Sequence, residues 1–238
     1  MTPPMMPTPP PSSPDRARRA LLVDYGGVLT TSIGDAFEQF ARVEGLAPGA
    51  VSAALRSGPD MRRLLDGIEE GTLPEVEFER ELALLLGVAP RGLIGRMLAT
   101  LGPDERMIAA VRELRRAGVP TGLVSNSWGV DIYPAALLAE LFDASVISGR
   151  VGMRKPSPAI YLHASRALGL DPADCVFVDD LARNLSPAAE LGMATVHHTD
   201  SAVTVPEIAR LLGRHRHRSG IDAGEDVPRE GMAGLPER

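Results

Sequence analysis

The chain has 238 residues, enough for one large α/β domain carrying an inserted module, and its 44% apolar content is ordinary for a globular protein. A net charge of -6, with no basic stripe interleaved with aromatics, gives no electrostatic reason to expect nucleic acid, so an anionic partner must be held by a local site. The single cysteine, Cys175, excludes an intrachain disulfide and a thiolate zinc cluster and suits a reducing cytoplasm, and no apolar run reaches the ~18 residues of a membrane span.

Residues 1–15 are rich in Pro, Ser and Thr without apolar periodicity and read as a solvated tail. The first apolar run, Ala20–Asp24, is expected to be a buried strand. Residues 32–98 then offer only helical patterns, such as Pro74–Gly87, and are expected to form a helical cap inserted between residues 16–31 and 99–212 of an α/β core. Short apolar runs resume at Thr121–Ser125, Ala144–Ile147, Cys175–Asp179 and Met193–Val196, alternating with helical segments. Ser157-Pro158 and Ser186-Pro187 read as helix N-caps before a first-turn proline, and Gly118, Gly169 and Gly192 read as helix stops. The alternation implies a doubly wound, Rossmann-like parallel sheet with an α-helical cap. Residues 213–238 read as a second tail, with the His215 and His217 run inside it.

In an open α/β sheet, ligands bind beyond the carboxyl ends of the strands, near the point where strand order reverses. Four such ends deliver polar residues here: Asp24, Ser125, Lys155 after the third strand, and Asp179-Asp180. Asp24, followed by Gly26-Gly27, has the chemistry of a nucleophile that forms an aspartyl phosphate, if cations relieve its repulsion with the phosphoryl group. Lys155 and a Mg²⁺ held by oxygen ligands would supply that relief, and the Ser125 hydroxyl suits a phosphoryl oxygen. Taken singly, each has a plain alternative: Asp24 as a strand-end residue, Asp179-Asp180 as a helix-capping pair, Ser125 as a strand terminator. Trp128 is expected to pack, and Cys175 to be a buried structural thiol.

The segments Asp24–Thr30 (DYGGVLT), Ser125–Trp128 (SNSW), Lys155–Tyr161 (KPSPAIY) and Val176–Asn184 (VFVDDLARN) resemble, in order and spacing, the four motifs of the haloacid dehalogenase superfamily of hydrolases. The resemblance covers about residues 19–200, and motifs two to four are most similar to those of the amino-terminal phosphatase domain of soluble epoxide hydrolases. It implies a Mg²⁺-dependent phosphatase of a small phosphorylated metabolite. In it Asp24 is nucleophile and metal ligand, Gly26 a ligand through its carbonyl, Asp180 a direct ligand and Asp179 a supporting acid. Ser125, Asn126 and Lys155 would bind the phosphoryl group, with Asn126 and Asn184 also ordering loops or substrate.

Position 26 departs from the pattern: phosphatases of this superfamily usually carry there an aspartate that protonates the leaving oxygen, and this chain has glycine. Such a group contributes roughly 10²–10⁴ in rate. The enzyme would then act on phosphates with good leaving groups, borrow an acid from cap or substrate, or be nearly inactive; the first two are favoured. The alternatives of another class are a dehalogenase, which needs no magnesium, and a phosphate-binding regulatory protein that has lost turnover.

Overall fold

A computed structural model describes residues 18–129 and 132–213; both expected tails, including His215 and His217, lie outside the described residues. Five strands, β1 (Ala20–Val23), β2 (Thr121–Ser125), β3 (Ala144–Ile147), β4 (Cys175–Asp179) and β5 (Ala194–His197), form one parallel sheet in the order β3-β2-β1-β4-β5. Each matches an expected run to within a residue.

Both faces of the central strands are covered, which is why they read as uninterrupted apolar runs. Leu21 and Val23 pack with α6 (Glu105–Arg116), α7 (Ala135–Leu141) and α11 (Ser201–Leu211) through Met107, Leu141 and Ile208. Ala20 and Leu22 point the other way, against α9 (Pro158–Ala167) and α10 (Ala182–Glu190), through Ile160, Tyr161 and Ala188. The chain runs from β1 outward through β2 to β3 and then crosses to β4 on the opposite side, so strand order reverses between β1 and β4.

Between β1 and α6 the chain forms only helices: α1 (Ile33–Val43), α2 (Ala50–Leu55), α3 (Pro59–Glu69), α4 (Glu75–Leu86) and α5 (Leu93–Met97). They bury an apolar cluster of their own around Phe40, Met61, Phe78, Leu82 and Met97. The two crossings to this region run side by side, with Thr31 N donating to Gly102 O (2.8 Å) and Asp104 N to Leu29 O (2.9 Å). No helix among the described residues is long and apolar enough to cross a membrane.

One expected helix start is wrong. Pro187 lies inside α10, whose first turn begins five residues earlier at Ala182. Asp179 Oδ1 accepts from Leu181 N (2.8 Å) and Asn184 Nδ2 (2.9 Å), so a strand-end acid, and not Ser186, organises this start. Ser157-Pro158 does begin α9, although the Ser157 side chain makes no capping hydrogen bond.

Candidate active site

β1 delivers Asp24 at its carboxyl end, where Asp24 N donates to Val178 O (2.9 Å) and so locks the end of β1 to β4. β4 ends in Asp179, with Asp180 the next residue, and β2 ends in Ser125. Lys155 follows the short helix α8 (Ser148–Val151) and is joined to Pro156 by a cis peptide bond. Asp24, Asp179 and Asp180 thus meet at the sheet's switch point, each offering an oxygen within 4.8 Å of the others.

The buried Lys155 ammonium lies 2.7 Å from Asp24 Oδ1 and 2.7 Å from Asp179 Oδ2. Asp179 is fully buried and spends its other oxygen on Leu181 N and Asn184 Nδ2, so it fixes the lysine and the start of α10 together. Asn184 is held in turn by Tyr161, whose hydroxyl donates to its carbonyl (2.7 Å). Asp24 Oδ1 also accepts from Tyr25 N (2.7 Å).

Three carboxylates face one ammonium. Burial pushes the Asp24 carboxyl up to about 7 against the pull of Lys155, and the charges of Asp179 and Asp180 push the same way. Burial and the Asp179 charge raise Asp180 to about 6. Burial alone would depress the Lys155 pKa, but Asp24 and Asp179 outweigh it and hold it above the ordinary lysine range. The donor set is all oxygen and over-acidic, which suits a hard divalent cation such as Mg²⁺; since Asp179 is committed elsewhere, Asp24 and Asp180 are the carboxylates that fit it. Gly27 allows the approach: its φ is 75°, and a β-carbon there would lie 2.6 Å from Asp180 Oδ2.

Asn126, expected to bind the phosphoryl group or to order the loops around it, makes contacts that order loops. Its Nδ2 donates to Lys155 O and Glu69 Oε2 (3.0 Å each), and its Oδ1 accepts from Lys155 N (2.8 Å). With both amide hydrogens committed, its side chain braces the Lys155 backbone. Ser125 Oγ is 2.9 Å from the Tyr133 hydroxyl, whose pKa burial raises far above the ordinary tyrosine value, so it stays a neutral partner. Tyr133 packs edge-on against Tyr25 at 4.9 Å.

Sequence reasoning missed Tyr133, and it missed Glu69 and Arg154, which tie α3 to the core. Arg154 Nη1 contacts Glu69 Oε2 at 3.0 Å, its Nε lies 3.6 Å from Glu70 Oε1, and it also pairs with Asp66. The only advance signal was that Arg154 precedes Lys155. Trp128 packs as expected, between Phe37 (5.8 Å) and Phe78 (5.5 Å) of the helical region. Cys175 is buried, with its thiol pushed up to about 12. His197 Nε2 lies 2.9 Å from the backbone carbonyl of Asp180, and His198 Nδ1 is 3.0 Å from Thr204 Oγ1.

Residues 18–192 match the family model for haloacid dehalogenase-like hydrolases. A sesquiterpene phosphatase of Aspergillus oryzae is 30% identical over 61% of this chain and 77% of its own length. The bifunctional epoxide hydrolase 2 of Sus scrofa is 30% identical over 83% of this chain, which spans 39% of that longer protein. Among solved structures, a HAD family enzyme of Bacteroides thetaiotaomicron in complex with magnesium and inorganic phosphate shares the fold at a TM-score of 0.58 and 22% identity, covering 76% of this chain and 94% of the other.

Proposed function

The chain belongs to the haloacid dehalogenase-like hydrolase family, and from that premise we propose that it is a Mg²⁺-dependent phosphatase of a small phosphorylated metabolite, with Asp24 as nucleophile. The observation that carries this reading is the cluster of three carboxylates around one lysine. Fold alone does not choose between phosphoryl and carbon-halogen chemistry. Acids that crowd the nucleophile would only repel a haloacid, whereas they give a cation and its phosphate a reason to bind.

Asp24 Oδ1 is held by Lys155 and Tyr25 N, which leaves Oδ2 to attack phosphorus. Lys155 draws in a phosphoryl oxygen and keeps Asp24 in place, and Asp179 sets the lysine's position. The Ser125 hydroxyl, backed by Tyr133, donates to a second oxygen. Asp24, Asp180 and the Gly26 carbonyl would hold Mg²⁺, which when bound supplies the positive charge that lets a phosphate dianion approach these acids. Residues 32–98 act as a cap that selects the substrate, over a core of residues 16–31 and 99–212.

Phosphate release from sugar, acyl, aryl and nucleotide phosphates with Mg²⁺ tests the reading. The native chain is expected to turn over at least one, and Asp24→Asn to lose on the order of 10³-fold or more. Release that is equal in both proteins removes Asp24 as nucleophile. No release by the native chain from any of them favours the phosphate-binding regulatory alternative, which Gly26 supports.

A further inference from the structure

The oxygen that leaves phosphorus must either take a proton or depart as an anion, so the groups that could protonate it decide which phosphates this site can cleave. The turn after the nucleophile offers none at Gly26 or Gly27. The space in front of Gly26 is crowded: a β-carbon built there would lie 3.0 Å from Ile33 Cδ1 and 3.3 Å from Ile33 Cγ1, so the isoleucine would have to give way for a side chain at position 26. Ile33 is the first residue of α1, and Ser32 fixes that end by accepting from Asp35 N (3.2 Å). The same side chain packs against the apolar cluster of the helical region. An aliphatic group from that region therefore crowds the place where a side chain at position 26 would begin.

Among the described residues, the acids, the lysine and the serine that build the site are committed. Lys155 is shared by Asp24 and Asp179, Asp179 is saturated, and Ser125 is bonded to Tyr133. Glu69 is held by Arg154, Asn126 and Trp128. Glu79, the buried acid of α4, accepts from Gly92 N and Ile94 N at the start of α5. Asp180 serves the cation in the reading above.

We infer that Ile33 sets the substrate class, by closing the place of a proton donor and restricting the enzyme to activated phosphates, whose leaving group is the anion of a carboxylic acid, a phosphate or a phenol. The inference rests on the phosphohydrolase reading. In the first step Asp24 Oδ2 forms a bond to phosphorus, the bond from phosphorus to the leaving oxygen breaks, and the electron pair departs on that oxygen without a proton. In the second step water attacks the aspartyl phosphate, the bond between Asp24 and phosphorus breaks, and both water hydrogens leave on phosphate as H₂PO₄⁻. A carboxylate, whose conjugate acid has a pKa of about 4, leaves readily in this way, whereas an alkoxide does not.

The test is the dependence of kcat/KM on leaving-group basicity, measured on the full chain with Mg²⁺. Acetyl phosphate, a series of ring-substituted phenyl phosphates and glycerol 1-phosphate serve as probes. Expected is a steady fall across the phenyl series and a rate on glycerol 1-phosphate at least about 10²-fold below the acyl and nitrophenyl substrates, the rate that a missing general acid forfeits. A flat series, with glycerol 1-phosphate within tenfold of the others, overturns this inference and leaves the phosphohydrolase standing. Release from none of the probes overturns both. A pair of variants locates the cause. Gly26→Asp together with Ile33→Ala, which opens the space, is expected to raise glycerol 1-phosphate hydrolysis and flatten the series, and Gly26→Asp alone to gain less. Equal gains in the two, with melting temperatures showing both folded, overturn the assignment to Ile33.

Discussion

Asp24 and Asp180 carry charge that their surroundings disfavour, and the sign of the effect on stability follows. Each has a folded-state pKa raised above the unfolded 3.8, to about 7 and about 6. Such a group contributes stability that is fully present below the unfolded pKa and is lost as pH rises through the folded one. Without divalent metal, the protein should therefore lose stability between about pH 4 and pH 7. Asp180→Asn removes one charge and also relieves Asp24. In EDTA this variant is expected to melt above the native chain at about pH 7.5, with the gap closing toward about pH 4. Added Mg²⁺ should raise the native melting temperature, more at the higher pH, and barely move the variant. A variant that melts below the native chain in EDTA at the higher pH would remove the repulsion argument.

At the scale of elements, the chain's return from the helical region to the sheet depends on one capping acid. Asp104 Oδ1 accepts from Met107 N (2.8 Å) in the first turn of α6, and Oδ2 accepts from Ser201 Oγ (2.9 Å) at the start of α11. Asp104→Ala should cost about 1–2 kcal/mol, read as a lower urea midpoint at unchanged slope, and Asp104→Asn should recover part of it. The strands were legible because a parallel strand buried on both faces is a short apolar run, and its polar end residue marks where the run meets solvent or a ligand. Asp24, Ser125 and Asp179 stood out in that way, and Lys155 by its place between strand and helix. Pro187 was misread because the start of α10 is set by Asp179, a contact fixed by the sheet and not by local sequence. The loop-ordering role of Asn126 was read without its partners, because Glu69 and the Lys155 backbone are distant in the chain. Ile33 gave no signal, since only the folded path of α1 brings it to Gly26.

For the whole molecule, the question is what holds the helical region against the sheet domain over the site. Trp128, from the loop after β2, inserts among Phe37 and Phe78, and Arg154 reaches Asp66, Glu69 and Glu70 at the end of α3. The two contacts differ in kind. The aromatic insertion buries apolar surface and resists separation at any salt concentration. The arginine cluster is uneven: the pair with Glu70, 41% exposed, adds little to global stability and is screened by salt, while Glu69, at 14%, is the more sheltered partner. Burial raises the Glu69 pKa in spite of Arg154, which marks this carboxylate as the member least content to lose its partner. Arg154→Met should therefore shift the melting temperature little while loosening the seat of α3 beside Asn126 and Lys155. A loss of about 1 kcal/mol in that seating corresponds to about fivefold, expected mainly as a higher KM for the phosphate substrate. Faster backbone hydrogen exchange over residues 66–75 should accompany it. High salt should move the native KM in the same direction and leave that of Arg154→Met nearly unchanged, because the variant has already lost what salt screens. A KM and an exchange pattern unaffected by the substitution would assign the seating of the helical region to Trp128 alone.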